Sequence, residues 1–236
     1  MASRNQFEID EWYHCYNRGV DKRKIFQTSR DYERFLMLMY TGNGSNPLHI
    51  SNLKDPRLRP ILSDNSIDRG TPLVDIGAYC LMPNHFHLIL KETSENGITS
   101  FMQKIFTGYA MYFNKKNERT GTLLSGPFKS KHIGDDNYLK QVVSYVHLNP
   151  IELFEPGWKE RHGNTAMLER KLLEYPYSSL PDFIKQKAGK VQLERKILGN
   201  EIFDLFDTIP SVHEIVSEAS EYYQEIATVF DGKARP

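Results

Sequence analysis

The hydrophobic pattern switches repeatedly between a two-residue and a helical period. Residues 11–18, Glu11-Trp12-Tyr13-His14-Cys15-Tyr16-Asn17-Arg18, read as an aromatic-rich strand stopped by Gly19. Alternation puts Trp12, His14 and Tyr16 on one face and Tyr13 and Cys15 on the other. A helix follows from Ser29, its expected N-cap, to about Tyr40, with Phe35, Leu36, Leu38 and Met39 as its apolar stripe. Residues 42–73 sustain no period, and Gly, Pro, Asn and Ser mark them as a loop insertion. Residues 74–82 and 85–91 are two strands joined by the tight Met82-Pro83-Asn84 connection, hence an antiparallel pair.

From Glu95 to Lys116 the period is helical, through Ile98, Phe101, Met102, Ile105, Tyr109 and Tyr112. Residues 122–133 read as a strand, or a strand and loop. Asp135 and Asp136 open a helix to Leu148, ended by Pro150, with Leu139, Val142, Val143 and Val146 as its buried stripe. Residues 176–181 read as a connector, and helical patterns return at 193–206 and 212–230.

Composition narrows the class. At 236 residues, 39% hydrophobic and 25% charged, the chain describes a globular protein with one sizeable core. No apolar run is long enough to span a membrane, and residues 1–6 lack the apolar centre of a signal peptide. Cys15 and Cys80, each inside a strand, suggest buried free thiols and a cytoplasmic protein. The formal charge of zero conceals an asymmetry: residues 1–151 carry 19 basic against 15 acidic side chains, and 152–236 carry 11 against 15. Within 101–131, Lys104, Lys115, Lys116, Arg119, Lys129 and Lys131 face only Glu118, a block suited to phosphates or to a solvated helix face.

Two stretches carry candidate chemistry. In Pro83-Asn84-His85-Phe86-His87-Leu88, the two imidazoles point to one side of the strand and Phe86 to the other, giving two ligands for a divalent metal or a pair of surface histidines. In Tyr145-Val146-His147-Leu148-Asn149-Pro150, Tyr145 and Asn149 are four apart and reach the same place from a polar stripe at the core's edge. Tyr138 shares that face two turns earlier. His14 joins the imidazole pair only if its strand neighbours 85–91; otherwise it is a packed core histidine.

With Tyr13-His14-Cys15-Tyr16-Asn17-Arg18-Gly19, Ala78-Tyr79-Cys80-Leu81-Met82, Gly108-Tyr109-Ala110-Met111-Tyr112-Phe113-Asn114 and Phe128-Lys129-Ser130, these stretches make residues 13–150 resemble the single-tyrosine HUH transposases. The similarity is to their REP-associated tyrosine transposase branch. The resemblance implies an α+β fold, a ferredoxin-like antiparallel sheet with helices packed on one face, here with a C-terminal helical appendage. The catalytic domain is expected over 1–152, with 42–73 read from its lack of period as an insertion, and the helically patterned 153–236 as an appendage packed on it. Tyr145 matches the nucleophile, His85 and His87 the metal ligands, and Asn149 the third ligand.

The implied activity is cleavage and rejoining of single-stranded DNA near hairpins through a phosphotyrosine, by a monomer or homodimer. Two imidazoles, one amide oxygen and phosphoryl chemistry favour Mg²⁺ or Mn²⁺ over zinc. The six basic residues of 101–131 are the expected DNA contacts. Where relatives often have Arg before the Phe-Lys-Ser stretch, this chain has Pro127. The alternatives are a ferredoxin-like module that grips nucleic-acid hairpins without cutting, and a metal-dependent phosphodiesterase that uses water.

Overall fold

A computed structural model describes residues 7–46, 48–53, 55–156, 158, 165–187, 196–206 and 210–216. Four strands, β1 (Trp12–Arg18), β2 (Val74–Met82), β3 (His85–Glu92) and β4 (Lys129–Ile133), form one sheet in the order β2-β3-β1-β4. Every neighbouring pair is antiparallel. With helices α1 (Ser29–Gly42) between β1 and β2 and α3 (Gly97–Lys116) between β3 and β4, this is the ferredoxin-like arrangement.

One sheet face presents Phe86, Leu88 and Leu90 to α1 and α3, where Phe35 and Phe106 close on Phe86. Three groups tie that layer down. The carboxylate of Glu92, fully buried, accepts from the backbone N–H of Gly97 and Ile98 and so caps α3. Gly97 itself is required by packing, since a Cβ there would lie 2.1 Å from the Leu73 carbonyl oxygen. At the other end, Asp31 accepts from the N–H of Gln27 and Thr28 and from Tyr112 and Lys116, joining α1 to α3. The N-cap of α1 is therefore Thr28, within a capping box with Asp31, and Ser29 is the first helical residue.

The opposite face carries His85 and His87 and is covered by α4 (Asp136–Leu148), so helices lie on both faces of the sheet. Asp135 accepts from the Tyr138 N–H and starts α4; Pro150 does not end the helical path, which turns into α5 (Ile151–Phe154). Residues 42–73 are not structureless. They hold α2 (Leu58–Ser63) and bury Ile50, Leu58, Ile61 and Leu62, while Arg69 stacks on Tyr40 and donates to its carbonyl. The expected strand over 122–133 shortens to β4, because 122–128 form a loop with Gly126 at φ 75° and Leu124 bridged to Gly19.

The later segments α6 (Thr165–Glu174), α7 (Leu180–Lys187) and α8 (Glu201–Asp204) follow. Residues 176–181 dock as an extra rung on β2. The Leu81 N–H donates to Tyr177 O, the Ser179 N–H to Tyr79 O, and the Gly199 N–H to Ile76 O. These bonds satisfy an edge that would otherwise offer itself to another chain. Of the pattern at 193–206, α8 is the α-helix among the described residues and 193–195 lie outside them; of that at 212–230, residues 212–216 are helical and 217–230 lie outside the described residues. Among the described residues no helix is long and apolar enough to cross a membrane. Both cysteines are buried free thiols.

Candidate active site

Strand register builds the site. Tyr16 of β1 pairs with His87 of β3 and with Lys129 of β4, so all three share a face. One rung up, His14 pairs with Ile89 and Lys131; one rung down, Arg18 pairs with His85. The rows place three imidazoles, one phenol and three cations on the same side of the sheet. Helix α4 supplies the lid, with the Tyr145 ring edge-on to His87 at 5.6 Å and to His14 at 6.0 Å.

Each imidazole has one nitrogen already engaged. His85 Nδ1 lies 2.7 Å from Asn84 Oδ1, the residue of the tight connection before it. His87 Nδ1 lies 2.8 Å from His14 Nε2. Burial lowers all three pKa values. That of His14 falls to about 3, with Lys131 acting the same way, and that of His85 to about 4, where Asn149 works against the shift and Arg18 adds to it. His87 is held well below the ordinary range by burial and by its two imidazole neighbours. Neutral imidazoles keep lone pairs for a cation.

Asn149 donates Nδ2 to the Tyr145 carbonyl at 2.9 Å, and its side chain also hydrogen-bonds His85. His85 lies beside His87, their ring centres 5.1 Å apart, and Asn149 adjoins His85; two imidazoles and an amide oxygen are donor types that suit a hard divalent cation. Among the described residues no group of three or more His, Cys, Asp or Glu is arranged to hold a metal, so His14 stands behind the pair and not beside it.

The expected site residues divide by location. Tyr145 and Asn149 are not on an exposed edge: they are 2% and 6% exposed, against 3% for His87. Lys129 and Lys131 lie on the imidazole face. Lys104, Lys115 and Lys116 line a groove of about 1160 Å³ between α1 and α3, on the other side of the sheet, together with Arg34 and no carboxylate. There Lys104 donates to Gly44 O and Lys116 to Asp31. Arg119 is committed to its own turn through Asn114 and Thr122. Sequence reasoning did not single out Arg18 or Asn84 for the site; the motif around His85 contains Asn84, but only strand pairing reveals Arg18.

Residues 52–149 match the family described as "Transposase IS200 like". That span holds His85, His87, Tyr145 and Asn149 and excludes β1. A solved structure of a REP-associated tyrosine transposase bound to a REP hairpin is 13% identical, covers 89% of this chain and 97% of its own, and superposes with a TM-score of 0.49. No curated protein matches the chain.

Proposed function

We propose, from the match of residues 52–149 to the IS200-like transposases, that this protein cleaves and rejoins single-stranded DNA near hairpins through Tyr145. The observation that carries the reading is the Tyr145 ring lying edge-on against His87 and His14, with His85 beside His87. In this reading Tyr145 oxygen attacks the scissile phosphorus, a phosphotyrosine bond forms and the bridging P–O bond breaks. The tyrosine proton ends on the hydroxyl of the released strand. The reverse reaction with a different hydroxyl rejoins the DNA without an outside energy source.

His85, His87 and Asn149 would hold Mg²⁺ or Mn²⁺, which when bound polarises the scissile phosphate and offsets the charge that develops. The chain's own residues do the rest. Asn149 ties the last turn of α4 to the site and keeps Tyr145 within reach. Arg18, Lys129 and Lys131 give the face a positive rim for the phosphates. Because Tyr145 is 2% exposed, a phosphodiester reaches its hydroxyl only when α4 shifts. Residues 1–152 carry the chemistry, and 153–236 brace it through the Tyr177–Ser179 rung on β2 and the bond between Ser179 and His147 of α4.

The test is a denaturing gel after incubation with labelled single-stranded hairpin DNA and Mn²⁺. A labelled band at protein mass, lost in Tyr145→Phe and with EDTA, is expected. Tight binding with no band over a broad hairpin set supports the non-cutting module, and cleavage surviving in Tyr145→Phe supports the water-using phosphodiesterase.

A further inference from the structure

We infer that His14 is a positioning residue for the metal site: it fixes His87 in the tautomer that turns an Nε2 lone pair towards the cation. This rests on the metal reading above and extends it to a strand outside the matched family segment.

The geometry is a head-on bond between rings. His14 Nε2 and His87 Nδ1 are 2.8 Å apart, the ring planes differ by 13° and the ring centres lie 5.0 Å apart. Two imidazoles joined nitrogen to nitrogen at that distance have centres spaced in just this way, so they lie edge to edge. Both rings are buried, at 0% and 3% exposure. A nitrogen-to-nitrogen bond between two rings holds a single proton, which leaves two arrangements.

In the first, His87 donates from Nδ1, His14 accepts at Nε2 and carries its own proton on Nδ1, and the His87 Nε2 lone pair faces the cation. In the second, His14 donates and His87 carries its proton on Nε2, where it would oppose a cation. Only the first is compatible with a ligand at His87. Metal-bound histidines are ordinarily held by a carboxylate or a carbonyl on their second nitrogen. Here the acceptor is uncharged, so the site keeps the cation's full positive charge for an anionic substrate. The groups around His14 agree with this: Lys131 lies across from it on β4, Tyr16 beside it at 5.0 Å between ring centres, and Tyr145 edge-on.

The experiment is Mn²⁺ titration of the full chain without DNA, read by the electron paramagnetic resonance of free Mn²⁺. His14→Leu is expected to raise the Mn²⁺ Kd about 10- to 100-fold, the usual effect of losing such a partner. His14→Gln, whose amide oxygen accepts the same proton, is expected to recover most of that loss. Unchanged affinity in folded His14→Leu, with affinity lost in His87→Ala, overturns the inference and leaves the metal site standing. Unchanged affinity in His87→Ala overturns the metal reading itself. A second measurement needs no variant: nitrogen-15 imidazole spectra of the metal-free chain are expected to place the protons of both rings on Nδ1. A proton on His14 Nε2 overturns the inference.

Discussion

Asn149 reaches back one turn of α4 and donates its amide to the carbonyl of Tyr145 at 2.9 Å. The side chain of the proposed third ligand is therefore tied to the backbone of the proposed nucleophile. Asn149→Ala is expected to weaken Mn²⁺ binding by about tenfold or more, the scale for loss of a metal-site partner. Phosphotyrosine yield should fall with it. Calorimetric titration with Mn²⁺, alongside the adduct assay, checks both; normal metal affinity would remove Asn149 from the ligand set.

Three buried imidazoles make folding acid-sensitive. The pKa values of His14 and His147 are lowered by burial to about 3, and that of His87 is well below 6.5. The unfolded chain takes up these protons below its ordinary pKa near 6.5, while the folded chain does not. Stability is therefore full above that pH and falls as the pH drops through it, by up to about 1.4 kcal/mol per pH unit for each histidine. Thermal melting in EDTA should show a flat Tm above pH 7 and a steep decline from about pH 6.5 to 5. A Tm insensitive to pH across that range would contradict neutral burial.

Ser179 couples the C-terminal segments to α4. Its hydroxyl accepts from the Tyr79 N–H at 2.9 Å and lies 2.8 Å from His147 Nε2, all fully buried. Ser179→Ala leaves both partners unsatisfied and should cost about 1–3 kcal/mol. Urea unfolding measures the loss, and Ser179→Thr, which keeps the hydroxyl, should lose less.

The positive charges divide by face, and so should their effects. Lys129→Ala and Lys131→Ala remove cations from the imidazole face, whereas Arg34→Ala and Lys115→Ala act on the groove between α1 and α3. Removing a cation that neutralises one phosphate should reduce the slope of log affinity against log salt by about 0.7–0.9. Fluorescence anisotropy with single-stranded and hairpin DNA at several salt concentrations gives the slopes. Changes confined to the imidazole-face pair would restrict the DNA path to that side.

Local pattern revealed the parts of the site and tertiary pairing assembled them. The two-residue period put His85 and His87 on one face, and the four-residue spacing aligned Tyr145 with Asn149; both relations depend on neighbouring residues alone. The order β2-β3-β1-β4 does not, and it alone decides that His14 meets His87 and that Arg18 sits beside His85. The polar stripe of α4 lies at the core's edge in the sequence pattern; Tyr138 and Gln141 are half-buried there, whereas Tyr145 and Asn149 are buried against the sheet. The burial of Ile50, Ile61 and Leu62 within 42–73 is not legible in the sequence, because short helices give no sustained period. A charge count makes one patch of six cations, though Lys116 is committed to Asp31 and Arg119 to its own turn.

The most direct measurement is mass-spectrometric mapping of the covalent adduct formed with a single-stranded hairpin and Mn²⁺. Tyr145 packs edge-on against His87, whereas Tyr138, on the same helix, lies under Lys131 at 5.3 Å. The expected result is one nucleotide-modified peptide with the phosphate on Tyr145, absent from His87→Ala. Modification at Tyr138, or cleaved DNA with no modified tyrosine, would contradict the account.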